Sequence, residues 1–134
     1  MDLIREGSKL VHLRGTTGTD EKAKRNFQRD LTCVMCGNTL DSHPKRNDPD
    51  FGNRMVSAHC YDELDPEAAF LITTCHACNM NGRKDDRYFE CLRDARIKYL
   101  YDSDGNRKGK GEYLGHGRKP TPHTNVFTRQ ANHR

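Results

Sequence analysis

The sequence predicts a small α+β domain, in which a β-hairpin and a helix are preceded by an irregular N-terminal segment and followed by an extended basic C-terminal arm. Three observations lead to this fold class. The chain has 134 residues, only 33% of them hydrophobic and none of them tryptophan, so its core must be thin. Six cysteines include two Cys-x-x-Cys pairs, and short apolar runs precede the second pair. A small domain with a thin core needs a staple, and the cysteines can provide one.

The first segment, residues 1–30, contains one predicted strand. In residues 9–14 the apolar side chains of Leu10, Val11 and Leu13 surround His12, and Gly15 ends the run. Residues 16–29 are polar and charged. They form either an exposed helix that begins near Thr19 and Asp20 or a linker.

The second segment, residues 31–101, contains the predicted hairpin and helix. Residues 55–59 and 70–75 have the composition of two short strands, separated by an acidic turn with Asp65 and Pro66. Residues 85–101 predict a helix, because Tyr88, Ala95 and Tyr99 recur with helical spacing. We therefore expect a hairpin followed directly by one long helix.

Two cysteine pairs in the second segment predict a tetrahedral metal site. Cys33 and Cys36 form the first pair, Cys75 and Cys78 form the second, and 38 residues lie between the pairs. Each Cys-x-x-Cys turn directs two thiolates at one ion, and two such turns complete an S₄ site with zinc–sulfur distances of about 2.3 Å. Gly37 suits the bend of the first turn. Structural zinc is the first interpretation, and iron in the same S₄ geometry or a redox dithiol is the alternative.

Two further cysteines and one histidine are predicted to have no part in this site. Cys60 alternates with the residues of the hairpin, and Cys91 lies on the apolar face of the predicted helix, so both are interpreted as packing residues. His76 lies inside the second Cys-x-x-Cys pair and is expected to be exposed.

The third segment, residues 102–134, is the predicted basic arm. From residue 105 to the end there are seven basic residues and one acidic residue, whereas the whole chain has a net charge of only +4. Such an arm can follow a DNA or RNA backbone, and the candidate contacts are Arg107, Lys108, Lys110, Arg118 and Lys119. The alternatives are a solvated tail or a segment that docks into a larger assembly, such as a ribonucleoprotein or a virus particle.

No apolar run in the sequence has the length of a transmembrane helix, and the N-terminus lacks a secretory signal. We expect no membrane partner and an intracellular location, in the cytoplasm, nucleus or nucleoid, or within a virion. In a reducing compartment, closely spaced cysteines are more often metal ligands than disulfides.

Over residues 31–100 the pattern resembles the HNH or ββα-metal (His-Me finger) endonucleases, in particular their zinc-stapled members. The resemblance lies in the two cysteine pairs, in His59 after the first hairpin strand, and in Asn79 directly after Cys78. It implies a treble-clef or ββα core. It also implies that His59 is the general base and that Asn79 is a ligand of a catalytic Mg²⁺ or Mn²⁺ ion.

Two positions depart from the family pattern. Ala58 precedes the histidine where many members have an acidic metal ligand, and Ala69 and Phe70 stand where the family has an asparagine that positions the histidine. The sequence therefore leaves two functions open. One is a catalytically degenerate HNH-like module that binds nucleic acid or serves a larger assembly, and the other is an active endonuclease that hydrolyses DNA.

Overall fold

The computed structural model describes residues 2–15, 18–39, 46–85, 88–113 and 115–116. They form a small α+β fold with one curled antiparallel sheet and few helices. The strands of the described residues are β1 (Asp2–Ile4), β2 (Lys9–Arg14), β3 (Met55–Asp62), β4 (Asp65–Cys75), β5 (Tyr88–Glu90), β6 (Ala95–Tyr99) and β7 (Gly115–His116). Their order is β1-β6-β4-β3-β2-β5, and β7 also pairs with β2.

Two α-helices accompany the sheet in the described ranges, α1 (Gly18–Asn26) and α2 (His76–Asp85). Short 3₁₀ turns occur at Pro49–Asn53 and at Lys110–Glu112. No helix in this part of the chain is long and apolar enough to cross a membrane.

The predicted hairpin is confirmed and is longer than expected. β3 and β4 pair in register from Met55 opposite Cys75 to Tyr61 opposite Ala69. β4 is buried continuously from Ala68 onward, whereas the residues at its beginning are largely exposed. Because a core lies on each face of this strand, its sequence is an apolar run rather than an alternating pattern.

The N-terminal segment is not irregular, which corrects the sequence prediction. The strand predicted over residues 9–14 is confirmed as β2, and the polar segment after it contains α1, so the helix interpretation is the correct one. β2 lies inside the sheet between β3 and β5. Leu10, Val11 and Leu13 are all buried, since neighbours on both faces cover this strand.

The helix predicted over residues 85–101 is wrong. The observed helix, α2, begins directly after Cys75 and ends at Asp85, and the region beyond it contains β5 and β6. β5 pairs with β2, and β6 pairs with β1 and β4. The spacing of Ala95, Ile97 and Tyr99 also fits the period of a strand, and pairing with sheet edges decides between the two periods.

The sheet separates two cores. The first core contains all four cysteines of the predicted metal site together with Ala58. The second core contains Val11, Tyr61 and Leu71, and α1 packs against it. Consecutive residues of β3 point to opposite faces, so adjacent positions of one strand serve different cores.

The beginning of the predicted basic arm is part of the fold. Lys108 donates its backbone N–H to Leu100 O (2.9 Å) and accepts from Ala69 N (2.8 Å). Gly109 follows, where the chain passes so close to β4 that a Cβ atom would lie 2.9 Å from the backbone Cα of Glu67. Residues 108 and 109 therefore extend the packing of β4, while Arg118 and Lys119 lie outside the described residues.

Gly109→Ala is expected to destabilise the protein by about 1–3 kcal/mol, because the added methyl group overlaps backbone atoms that cannot move independently. Gly111→Ala is the matched control, since a Cβ atom there meets nothing within 4 Å. Urea denaturation of both variants measures the difference. Equal stability of the two variants would show that the segment does not pack against β4.

Candidate metal centre

The first cysteine pair lies in a tight turn stabilised by its own backbone. Cys33 donates its N–H to Asn38 O (2.9 Å), and Gly37 donates to Cys33 O (2.9 Å). Gly37 has φ of +78°, a conformation that costs energy for residues with a Cβ atom. The N–H of Met35 points at Cys33 Sγ (3.4 Å). This turn therefore presents both sulfurs on one side.

The second cysteine pair lies where β4 passes into α2. Cys75 is the last residue of β4, and Cys78 lies in the first turn of α2. Residues three apart share a face of a helix, and the N–H of Cys78 points at Cys75 Sγ (3.4 Å). The strand-to-helix junction thus directs both sulfurs toward the first turn.

The four sulfurs form one buried cluster. All four Sγ atoms lie within 4.8 Å of one another, and Cys36 Sγ is 3.9 Å from Cys75 Sγ. A tetrahedron with metal–sulfur bonds near 2.3 Å has sulfur–sulfur edges of about 3.8 Å. The structure therefore brings together the four predicted ligands, in a geometry that fits a metal ion such as zinc.

The burial of four ionisable sulfurs also favours the binding of a cation between them. Burial raises the pKa of Cys33 well above its ordinary value. Hydrogen bonding with Cys33 lowers the pKa of Cys36 and of Cys75, and raises the pKa of Cys78. Four buried sulfurs cannot all be thiolates without a positive partner. A divalent cation supplies that charge and releases the remaining protons when it binds.

The two remaining cysteines, Cys60 and Cys91, lie in the first core and do not belong to this cluster. Burial raises the pKa of Cys60, and it raises the pKa of Cys91 to about 12, so both remain thiols. His12 Nδ1 lies 3.8 Å from Cys60 Sγ, and its Nε2 lies 3.3 Å from Met35 Sδ. Both cysteines are buried, as the packing interpretation expects.

His59, the predicted general base, is buried. It lies in the middle of β3 rather than at its end, and only 5% of its surface is exposed. Its Nε2 is 3.0 Å from Gly15 O, and the ring of Tyr113 packs edge-on against it at 5.2 Å. Since its cross-strand partner is Leu71 of the second core, His59 points away from the four cysteines.

Asn79, the predicted ligand of a catalytic metal, lies in α2 directly after Cys78. It lines a cavity of about 320 Å³ between α1, α2 and the beginning of β3. The residues that line this cavity are Lys24, Arg29, Arg54, Met55, Val56, Ser57 and Asn79. His59 is not among them. No local pattern in the sequence indicates this cluster, because Arg54 lies 25 positions beyond Arg29 in the chain.

His76 is half-buried rather than exposed. Its Nδ1 lies 3.2 Å from Arg54 Nη2, which can only donate, so His76 Nδ1 accepts this hydrogen bond. The ring is therefore directed at Arg54, and His76 does not belong to the sulfur cluster.

Lys108 was predicted to contact nucleic acid, but its ammonium group lies inside the fold. Lys108 Nζ is 3.1 Å from Asp20 Oδ1, both side chains are almost fully buried, and the ring of Tyr113 lies 4.7 Å from the same nitrogen. Burial raises the pKa of Tyr113, and the charge of Asp20 adds to this shift. Lys108 thus faces Asp20 rather than an external phosphate.

The other described residues of the predicted arm remain near the surface. Arg107 is exposed, and its guanidinium group lies 4.1 Å from the ring centre of Tyr99. Lys110 is half-buried.

A scan of family models and searches of curated proteins and of solved structures returned no match to this chain.

Replacing Cys36 and Cys78 together by serine is expected to abolish stoichiometric metal binding and to unfold the first core. Metal binding and folding are coupled in small sites of this kind, with apparent binding free energies of about 10–16 kcal/mol for zinc. Elemental analysis and circular dichroism measure the two effects. Cys60→Ala is the control and should keep one metal ion per chain. Metal retained by the double variant would place the ion elsewhere.

Lys108→Met is expected to cost about 3–5 kcal/mol of stability, because it leaves the carboxylate of Asp20 buried without a counter-charge. Lys110→Met removes the same charge from a half-buried position and should cost little. Urea denaturation of the two variants tests the difference, and similar losses would contradict a buried ion pair.

Proposed function

We propose that this protein is a zinc-stapled, HNH-like module that binds nucleic acid and does not itself catalyse hydrolysis. Zinc is the ion that four cysteine sulfurs in a closed, buried tetrahedral arrangement suit best. Iron in the same site is the alternative, and visible absorption together with elemental analysis distinguishes the two metals.

The observation that carries the choice of a binding function is the burial of His59. A general base must lie within hydrogen-bonding reach of the attacking water. Here Nε2 is already directed at Gly15 O, and Tyr113 covers the ring. The Asp20–Lys108 ion pair packs against the same tyrosine, so opening this cover would disrupt a buried pair.

Positive charge supports nucleic acid as the partner. Arg107 and Lys110 stand at the start of the arm. Residues 117–134 add four basic residues and no acidic one. Each phosphate that such residues neutralise releases counterions, which makes binding favourable and sensitive to salt.

The alternative function is hydrolysis of DNA phosphodiester bonds, with His59 as general base and Asn79 as a ligand of Mg²⁺ or Mn²⁺. One observation favours it, namely that Asn79 lines a cavity whose charged side chains are all basic. A hard cation prefers carboxylate ligands, and none of the described lining residues supplies one.

Binding is tested with the full chain and with a chain truncated after His116. Truncation there removes four basic residues but keeps Lys108 and Tyr113, which are part of the fold. We expect the full chain to bind labelled DNA or RNA, and truncation to reduce the slope of log affinity against log salt by up to about 3. Fluorescence anisotropy at several salt concentrations measures this slope. No binding by the full chain would exclude the proposed function. An unchanged salt slope after truncation would show that the arm does not contact the nucleic acid.

Catalysis is tested by plasmid nicking in Mg²⁺ or Mn²⁺, with His59→Gln as the comparison because glutamine can still hydrogen-bond to Gly15 O. We expect no nicking by either protein. Nicking by the unaltered protein that is lost in His59→Gln would establish the endonuclease instead. Nicking that persists equally in both would exclude His59 as the base.

A further inference from the structure

The cavity beside Asn79 is lined by side chains that suit an anion. Its basic residues come from three places: Lys24 lies in α1, Arg29 follows that helix, and Arg54 directly precedes β3. No acidic side chain is found among the described residues that line it. The volume of about 320 Å³ lies at the lower end of the range of ligand sites, roughly 300–1,000 Å³.

The guanidinium group of Arg54 is held in place before any ligand binds. Nη1 donates to Phe51 O (2.9 Å), and Nη2 donates to His76 Nδ1 (3.2 Å). The group also stacks on the ring of Phe51, 3.8 Å from its centre. Because its position is already fixed, Arg54 loses little conformational entropy when it binds an anion.

The two arginines of this cavity lie in unfavourable surroundings. Nε of Arg29 is buried and has no hydrogen-bond partner in the described part of the chain. Burial lowers the pKa of Arg54, and the nearby charge of Arg46 adds to this shift. A buried donor without a partner costs free energy, and an anion in the cavity would offset the charge of the same guanidinium group.

We propose that this cavity binds a backbone phosphate of the nucleic acid, with Lys24, Arg29 and Arg54 as its cationic contacts. The inference rests on the proposed function and adds the place where the backbone is held. Arginine pairs with phosphate through two parallel hydrogen bonds, while lysine contributes a point charge. Ser57 and Asn79 add polar groups at the wall.

A purely structural role for the same residues makes a different prediction. Lys24 lies in the last turn of α1, where a cation is favourable because of the helix dipole. If that were its whole role, replacing it would change stability but not binding. Binding and stability must therefore be measured on the same variants.

The test compares two double variants that lose the same charge. Lys24→Gln with Arg29→Gln removes two cations from the cavity. Lys22→Gln with Arg93→Gln removes two exposed cations that do not line it, one of them from the same helix. Anisotropy with a labelled 20-nucleotide strand gives affinity and salt slope, and melting temperature and metal content report on folding.

We expect the cavity variant to bind about tenfold more weakly and to lose up to about 1 from its salt slope, since one phosphate contact contributes about 1. The affinity and the salt slope of the control variant should change much less. Lys24→Arg, with Arg29 unchanged, keeps both charges and the paired donors of Arg29, and it should retain binding. The cavity would not be the phosphate site if binding weakened equally in the cavity variant and the control, or if the charge-keeping variant lost binding.

Nuclear magnetic resonance titrations separate a backbone phosphate from free phosphate. Signals around the cavity should shift with an oligonucleotide at concentrations where inorganic phosphate alone has little effect. Saturation by phosphate alone, without a response to the oligonucleotide, would overturn the assignment. Unaltered nucleic-acid binding in the cavity variant would reject this site and leave the proposed function standing, whereas no binding by the unaltered protein would reject both.

Discussion

The four-sulfur cluster joins two parts of the chain that are far apart in sequence. The turn that carries Cys33 and Cys36 docks on the end of β4 through a bond from Val34 N to Thr73 O (3.3 Å), and on residue 92 through Leu92 N to Val34 O (2.9 Å). Val34 and Met35 of the same turn are also buried in the first core. Because the cysteines also form much of the first core, a bound cation organises that core as well as the turn.

The second face of the sheet is closed by different means. Asp20 of α1 and Lys108 of the C-terminal segment meet in a buried ion pair beside Tyr113, and this arrangement lies over His59. A buried pair stabilises little by itself, but it strongly disfavours any arrangement that separates its partners. The face that a nuclease would need open is thus the one that the tail and α1 close.

Patterns among neighbouring residues were sufficient to predict the cysteine cluster and the hairpin. Two Cys-x-x-Cys pairs and a hairpin with buried strands can be read from neighbouring positions. The helix over residues 85–101 could not be excluded, because Ala95 and Tyr99 fit both a helix and a strand until pairing with β1 and β4 is known. The buried role of Lys108 depends on Asp20, 88 positions away, and no local pattern reveals it.

The metal centre and the basic cavity share their supporting residues. Met55 lies opposite Cys75 in the hairpin and also lines the cavity, and Asn79 directly follows Cys78 on α2. Arg54 O accepts from His76 N (2.8 Å), which ties the start of the metal-bearing helix to the residue that carries the fixed guanidinium. A change that displaces α2 from the end of β4 must therefore displace one wall of the cavity. Binding of a metal at the sulfurs and of an anion in the cavity is therefore expected to be coupled, although none of the described side chains belongs to both sites.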